Sequence, residues 1–143
     1  MAVNPIPEGY PRVIPYLVVS RAQPLIAFLQ SVFDGQLLER MEAADGRVMH
    51  AEVRIGESVV MIGEAKEGFP ARPSSLYLYV ADVDAAYHRA LHAGAASLME
   101  PADQFYGDRN AGVADAEGNQ FWIGARVEEV SAEELQRRAR ALG

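Results

Sequence analysis

An internal repeat constrains this chain more than any other feature. Ile14-Pro15-Tyr16-Leu17-Val18-Val19 reads as a strand, and Pro24 through Phe33 as a helix ending at Gly35. Ser75-Leu76-Tyr77-Leu78-Tyr79-Val80 reads as a second such strand, and Asp82 through Ala93 as a helix ending at Gly94. Phe28, Val32 and Gly35 recur as Tyr87, Leu91 and Gly94, each 59 positions later. A glycine at each helix end predicts a left-handed C-cap, which costs glycine little. The remainder of each half repeats as well. Val53 to Ile55 and Ser58 to Ile62 flank Gly56-Glu57 and read as a hairpin; Val113-Ala114 and Gln120 to Ile123 flank Ala116–Asn119 and read as another. The hairpins close on the same pair, Ile62-Gly63 and Ile123-Gly124, 61 positions apart. Leu37 to Met41 and Ala96 to Met99 supply one more strand each. The order is β-α-β-β-β, twice, which makes the fold α+β. Residues 12–64 form the first module, 65–74 a linker rich in breakers, and 75–126 the second module. In the tail, 127–143, Ser131-Ala132-Glu133-Glu134 fits a capping box and starts a C-terminal helix.

The 143 residues suit one domain, and the hydrophobic half of them suffices for a sizeable core. The formal net charge is −7, from 20 acidic and 13 basic residues, with no long basic run. That balance argues against nucleic acid or an anionic membrane as partner. The absence of cysteine excludes disulfides, thiolate metal sites and thiol catalysis. Met1 to Pro5 shows no signal-peptide pattern, and no apolar run approaches a membrane span. A soluble, cytoplasmic protein is the expectation.

With these segments in order, the chain resembles the glyoxalase/bleomycin-resistance/dioxygenase (vicinal oxygen chelate) superfamily, and within it the PhnB-like branch. The resemblance is carried by Ile14–Val19, His50–Met61, Tyr79–Asp84, and Gln104–Arg109 with Asp115–Asn119, and runs from about residue 12 to residue 127. It implies curled mixed sheets around a pocket, assembled as a homodimer. It also implies four metal-ligand positions, one at the start of the first strand and one in the last strand of each module. Carried onto this chain they are Ile14, Met61, Ser75 and Trp122. None is an imidazole or carboxylate, the donors that zinc, nickel, manganese and non-haem iron need. No metal or other cofactor is therefore expected, and the superfamily's metal-dependent chemistry is not expected to run here.

Strand alternation sorts the faces. Ile55 should oppose Ser58, Arg54 should oppose Val59, and Glu52 should oppose Met61. His50, Glu52 and Arg54 then share the ligand-bearing face with Met61. Tyr16, Tyr77, Tyr79, Gln120 and Trp122 join it from other strands, with Tyr106 and Arg109 from a segment, 104–109, that reads as a flap carrying an Asp108–Arg109 clamp. Such an aromatic pocket suits a planar or amphipathic organic ligand, with Arg54 placed for an anionic group. His88 and His92 share a helix face, but no third ligand is spaced nearby, and a solvated face is the plainer reading. Two functions follow, beside a third, a structural or regulatory module that takes no small ligand. One is a metal-free binding protein of the bleomycin-resistance type. The other is a metal-independent isomerase or lyase with His50 as general base and Glu52 orienting it.

Overall fold

The computed structural model describes residues 2–143. The chain divides between Ser74 and Ser75 into two compact units. The first contains β1 (Tyr16–Val19), α1 (Ala22–Phe33), β2 (Gln36–Glu42), β3 (Val48–Ile55) and β4 (Ser58–Glu64), with the sheet in the order β1-β4-β3-β2. The second contains β5 (Ser75–Tyr79), α2 (Val83–His92), β6 (Ala96–Asp103), β7 (Asp108–Ala114) and β8 (Gln120–Arg126), ordered β5-β8-β7-β6, and then α3 (Ala132–Ala141). The first strand of each module pairs parallel with the last, and the remaining pairs are antiparallel. The fold is α+β, with two mixed four-stranded sheets.

Each sheet buries one face under its own helix. Leu25, Ile26, Leu29 and Val32 of α1 are buried with Leu17, Ala51, Val53 and Ile62 of the first sheet. Val83, Ala86, Tyr87 and Ala90 of α2 are buried with Ala111, Val113, Phe121 and Ile123 of the second. The helix positions recur every three to four residues and the strand positions every two, the spacings that put apolar side chains on one face.

Helix ends follow the sequence in part. Asp82 caps α2 by accepting from the Ala85 N–H at 3.1 Å, and Ser131 caps α3 by accepting from the Glu134 N–H at 3.1 Å. Gly94 has the expected positive φ, 103°. For α1 the left-handed residue is Asp34, φ 56°, and not Gly35. Gly35 answers a steric demand instead, since a Cβ there would stand 2.7 Å from Val53 Cγ1. The N-terminus of α1 has no cap from its own Arg21; Glu64 at the end of β4 accepts from the Ala22 N–H at 2.8 Å.

Several strands run further than the residue pattern suggests. β7 begins at Asp108 and β6 extends to Asp103, because ladder pairing in the folded sheet overrides the weak strand preference of Asp, Asn and Gly. The breaker-rich linker is not free of the first module. The Ala65 N–H bonds the Val19 carbonyl at 2.8 Å and the Arg72 N–H bonds the Val18 carbonyl at 3.1 Å, so the segment folds back along β1. Among the described residues no helix is long and apolar enough to cross a membrane.

Candidate functional site

The register of the first hairpin sets Ile55 opposite Ser58, Arg54 opposite Val59 and Glu52 opposite Met61, as alternation requires. Met61 also pairs with Tyr16 of β1. In the second unit Trp122 pairs with Tyr77 on one side and Gly112 on the other. Phe121 and Ile123 are fully buried on the α2 side, which leaves Trp122 on the face opposite the helix.

The repeated Ile-Gly pair now has a physical reason. Ile62 and Ile123 are both fully buried on the helix side. The glycine that follows each leaves room for a tyrosine lying across the opposite face. A Cβ on Gly63 would stand 2.6 Å from the Tyr16 hydroxyl, and one on Gly124 would stand 2.3 Å from the Tyr77 hydroxyl. Gly112 plays the same part for Trp122, whose Cζ3 would be 2.3 Å from a Cβ there.

In the first unit this face carries a cavity of about 420 Å³. Its floor includes Glu52 and Met61, its side Ile14 and Glu39, and its other wall is the N-terminal segment containing Ile6 and Tyr10. Glu52 is 6% exposed and holds both carboxylate oxygens in hydrogen bonds. The Tyr10 hydroxyl donates to Oε1 at 2.5 Å, and His50 Nε2 lies 2.8 Å from Oε2. The Tyr10 bond is the main influence holding the Glu52 carboxyl below the usual carboxylate range, against the upward push of burial and with help from His50. Tyr10 is correspondingly harder to ionise, chiefly because its proton is committed to Glu52. The Tyr16 ring lies beside His50, centroids 6.0 Å apart. Arg54 departs from its expected role. Its Nη2 donates to the Gly9 carbonyl at 3.2 Å, an exposed bond that ties down the N-terminal segment rather than a guanidinium aimed at a ligand.

The second unit builds a different polar group on the equivalent face. Asp108, 7% exposed, accepts from the Tyr77 hydroxyl at 2.7 Å and the Tyr79 hydroxyl at 3.0 Å. Asn110 Nδ2 donates to the hydroxyls of Tyr77 at 3.1 Å and Tyr106 at 2.6 Å. Burial pushes the Tyr77 hydroxyl up to about 12, helped by Asp108 and opposed by Asn110. Tyr79 is also raised, first by its bond to Asp108. Gln120 is half-buried beside Ser75, whose hydroxyl is 3.4 Å from its Oε1.

Arg109 does not join this group. Neighbours along β7 point to opposite faces, so Arg109 turns to the helix side and pairs with Asp84 of α2 at 2.8 Å and Asp103 at 3.1 Å. No Asp108–Arg109 clamp forms. The segment expected as a flap is a turn between β6 and β7, closed by the Gln104 N–H to the Asp108 carbonyl at 2.7 Å and tied to α3 through Arg138, which donates to the Phe105 carbonyl at 2.9 Å. His88 is exposed and its Nδ1 lies 2.8 Å from the Asp84 carbonyl of its own helix.

The four positions where the superfamily's fold places metal ligands hold an alkyl group, a thioether, a hydroxyl engaged with Gln120 and an indole packed over Gly112. These residues do not fit a transition metal. Among the described residues no three His, Asp or Glu side chains gather closely enough to hold one.

Sequence reasoning missed Tyr10, which lies before the first module. The proline-punctuated stretch Pro5-Ile6-Pro7, apolar and stiff, was the available signal that this segment has a fixed course. It also missed the joint role of Asp108 and Asn110. Their spacing with Gly112, every second residue, was the available sign of one strand face.

Two βαβββ units with these open faces define a glyoxalase-type fold. The sequence profile of the Glyoxalase/Bleomycin resistance protein/Dioxygenase superfamily matches residues 11–123, and the chain belongs to that superfamily. An uncharacterised protein of Mycobacterium bovis is 36% identical over 137 residues, covering 88% of this chain and 90% of that protein. Among solved structures, TioX from Micromonospora sp. ML1 matches with a TM-score of 0.69 at 24% identity, over 81% of this chain and 98% of that one. TnmS3 from Streptomyces sp. CB03234, described as an antibiotic binding protein, matches with a TM-score of 0.64 at 21% identity, over 88% and 98%.

Proposed function

We propose that this protein binds a planar or amphipathic organic ligand without a metal. One observation carries the reading: the first unit keeps a ligand-sized cavity at Ile14 and Met61, two of the superfamily's metal-ligand positions, but lines those positions with an alkyl chain and a thioether. The site has volume and lacks donors. The lining is mostly apolar, with Ile6, Ile14, Met61 and the ring of Tyr10 beside the carboxylates of Glu39 and Glu52, a mixture that suits an amphipathic ligand. TnmS3, described as an antibiotic binding protein on the same fold, is consistent with this reading. Membership in the PhnB-like branch is part of the proposal, on the motifs at His50–Met61 and at Gln104–Arg109 with Asp115–Asn119. So is a homodimer: α3 has no buried residue in the single chain, and Val127 and Leu142 beside it are exposed, which suits a partner surface.

A thermal-shift screen with flat aromatic amphiphiles tests the binding reading, because a ligand specific to the folded state raises the melting temperature. Compounds should stabilise the protein, and Met61→Ala, in the cavity lining, should weaken their binding by about 1 kcal/mol. A screen with no stabilising compound, or elemental analysis showing one zinc, nickel, manganese or iron per chain, defeats it. Light scattering that gives a monomer's mass defeats the dimer.

The Glu52–His50 bond favours a second reading, a metal-independent isomerase or lyase with His50 as base. Turnover of any screened compound that disappears in His50→Gln while binding persists would select it.

A further inference from the structure

The polar row of β3 has a use that needs no ligand. His50, Glu52 and Arg54 share the face opposite α1, since Ala51 and Val53 between them are fully buried on the helix side. Arg54 donates to the Gly9 carbonyl at 3.2 Å, and Glu52 accepts from the Tyr10 hydroxyl at 2.5 Å. His50 Nε2 lies 2.8 Å from the other oxygen of Glu52. Two successive residues of the N-terminal segment are thus held by two successive positions on one strand face. The third member of the row steadies the carboxylate between them.

The segment is stiff enough to keep the course these bonds give it. Pro5, Pro7 and Pro11 fix their own φ and restrict the residue before each. Between them the Tyr10 N–H bonds the Pro7 carbonyl at 3.2 Å, closing a turn whose third residue is Gly9 at φ 83°. A chain with little freedom to lose needs few bonds to dock it. Once docked, residues 5–7 and 10–12 form one side of the cavity, and Ile14, Glu39, Glu52 and Met61 form the other. Arg54 and His50 do not line it. Residues 5–10 lie ahead of the stretch that matches the superfamily, 11–123.

We infer that the His50–Glu52–Arg54 row is a mooring that holds residues 5–12 as one wall of the first-unit cavity, with Arg54 and the Tyr10 hydroxyl as positioning groups for the ligand. The inference rests on the binding reading above and gives the row the task of shaping the site. Ligand affinity then depends on whether the wall is docked before the ligand arrives, since an undocked wall must be ordered at the expense of binding.

Fluorescence titration with prodan, a neutral flat naphthalene whose emission shifts to the blue in apolar surroundings, tests this. Tyr10→Phe keeps the ring and removes the bond to Glu52, and should weaken prodan at least about fivefold, on the scale of one hydrogen bond to a charged group. Arg54→Ala, at a position outside the cavity lining, should weaken it about threefold, the scale of a neutral acceptor's bond. Arg54→Lys can still donate to the Gly9 carbonyl and should recover most of that loss. Hydrogen exchange followed by NMR gives a readout that a general loss of fold would not produce. The Tyr10 amide should exchange faster in Tyr10→Phe and Arg54→Ala, while the amide of Val53, in the middle of β3, keeps its protection. The Arg54 pair carries the test if Tyr10→Phe does not fold. Prodan affinity unmoved by Arg54→Ala, a loss that Arg54→Lys does not recover, or an unchanged Tyr10 exchange rate overturns the mooring and leaves the binding protein standing. If prodan does not bind while other compounds stabilise the protein, the wall is overturned as a ligand surface and the binding reading survives. If nothing binds, both fall.

Discussion

The two units share a frame and differ in what stands on it. Tyr16 and Tyr77 occupy the same register position, as do Met61 and Trp122, and each tyrosine crosses the glycine of an Ile-Gly pair. Opposite Met61 stands Glu52; opposite Trp122 stands Gly112. Two residues earlier on the same strands are His50 and Asn110. A methionine leaves room for a glutamate beside it, whereas an indole needs a bare backbone. The first unit consequently has a buried anion under a covering segment, and the second an aromatic surface around Asp108 and Asn110. The helix-facing half of each strand is held to the pattern by packing, while the other half is free to diverge toward a ligand.

The largest expected effect tests the shared frame. Ile62→Ala and Ile123→Ala each remove a fully buried side chain, and each should cost about 3 kcal/mol by urea denaturation. A loss at one site far below the other would show that the units do not depend on their cores alike.

Next comes the exchange of indole for glycine. Gly112→Ala places a methyl where Trp122 lies, and should cost roughly 2 kcal/mol and shift the single tryptophan's emission to the red as the ring is displaced. An unchanged spectrum would remove the reason given for Gly112.

Alkaline pH should report on the buried tyrosine of the second unit. The Tyr77 pKa is raised from 10.0 to about 12 in the folded protein. Its contribution to stability is therefore complete below pH 10 and is lost as the pH climbs toward 12. Tyr77→Phe should flatten that part of the stability profile, as measured by denaturant melts across the range. Loss of equal size in the variant would mean that the buried hydroxyl is not the cause.

The acid titration of Glu52 should report on the first unit. Glu52 is lowered from 4.5, so its contribution is present above that value and is lost as the pH falls through the lower folded value. Tyr10→Phe removes the largest cause and should move the Glu52 titration back upward, as read by carboxylate NMR. The second-unit carboxylates should not move.

The smallest effect is expected at Arg109. It pairs with Asp84 through two part-buried hydrogen bonds and with Asp103 through an exposed one, all on the helix side, so Arg109→Gln should leave ligand affinity unchanged and cost about 1 kcal/mol of stability. A clear loss of binding would return Arg109 to the site.

The sequence by itself determined the repeated order of elements, the register of the first hairpin and the buried helix-facing positions of the strands. Those properties follow from local periodicity and from a repeat that puts Ile-Gly at the end of both hairpins; the metal-ligand positions Ile14, Met61, Ser75 and Trp122 came from the superfamily resemblance. The structure decided what long-range approach controls. It set Tyr10 on Glu52, 42 residues apart, and Arg54 on Gly9, 45 apart. It turned Arg109 toward Asp84 and gathered Tyr77, Tyr79 and Tyr106 on Asp108 and Asn110. Periodicity reports only whether a side chain faces the core or turns away from it. The partner it finds there depends on how loops and termini return over the sheet, and no spacing along the chain encodes that return.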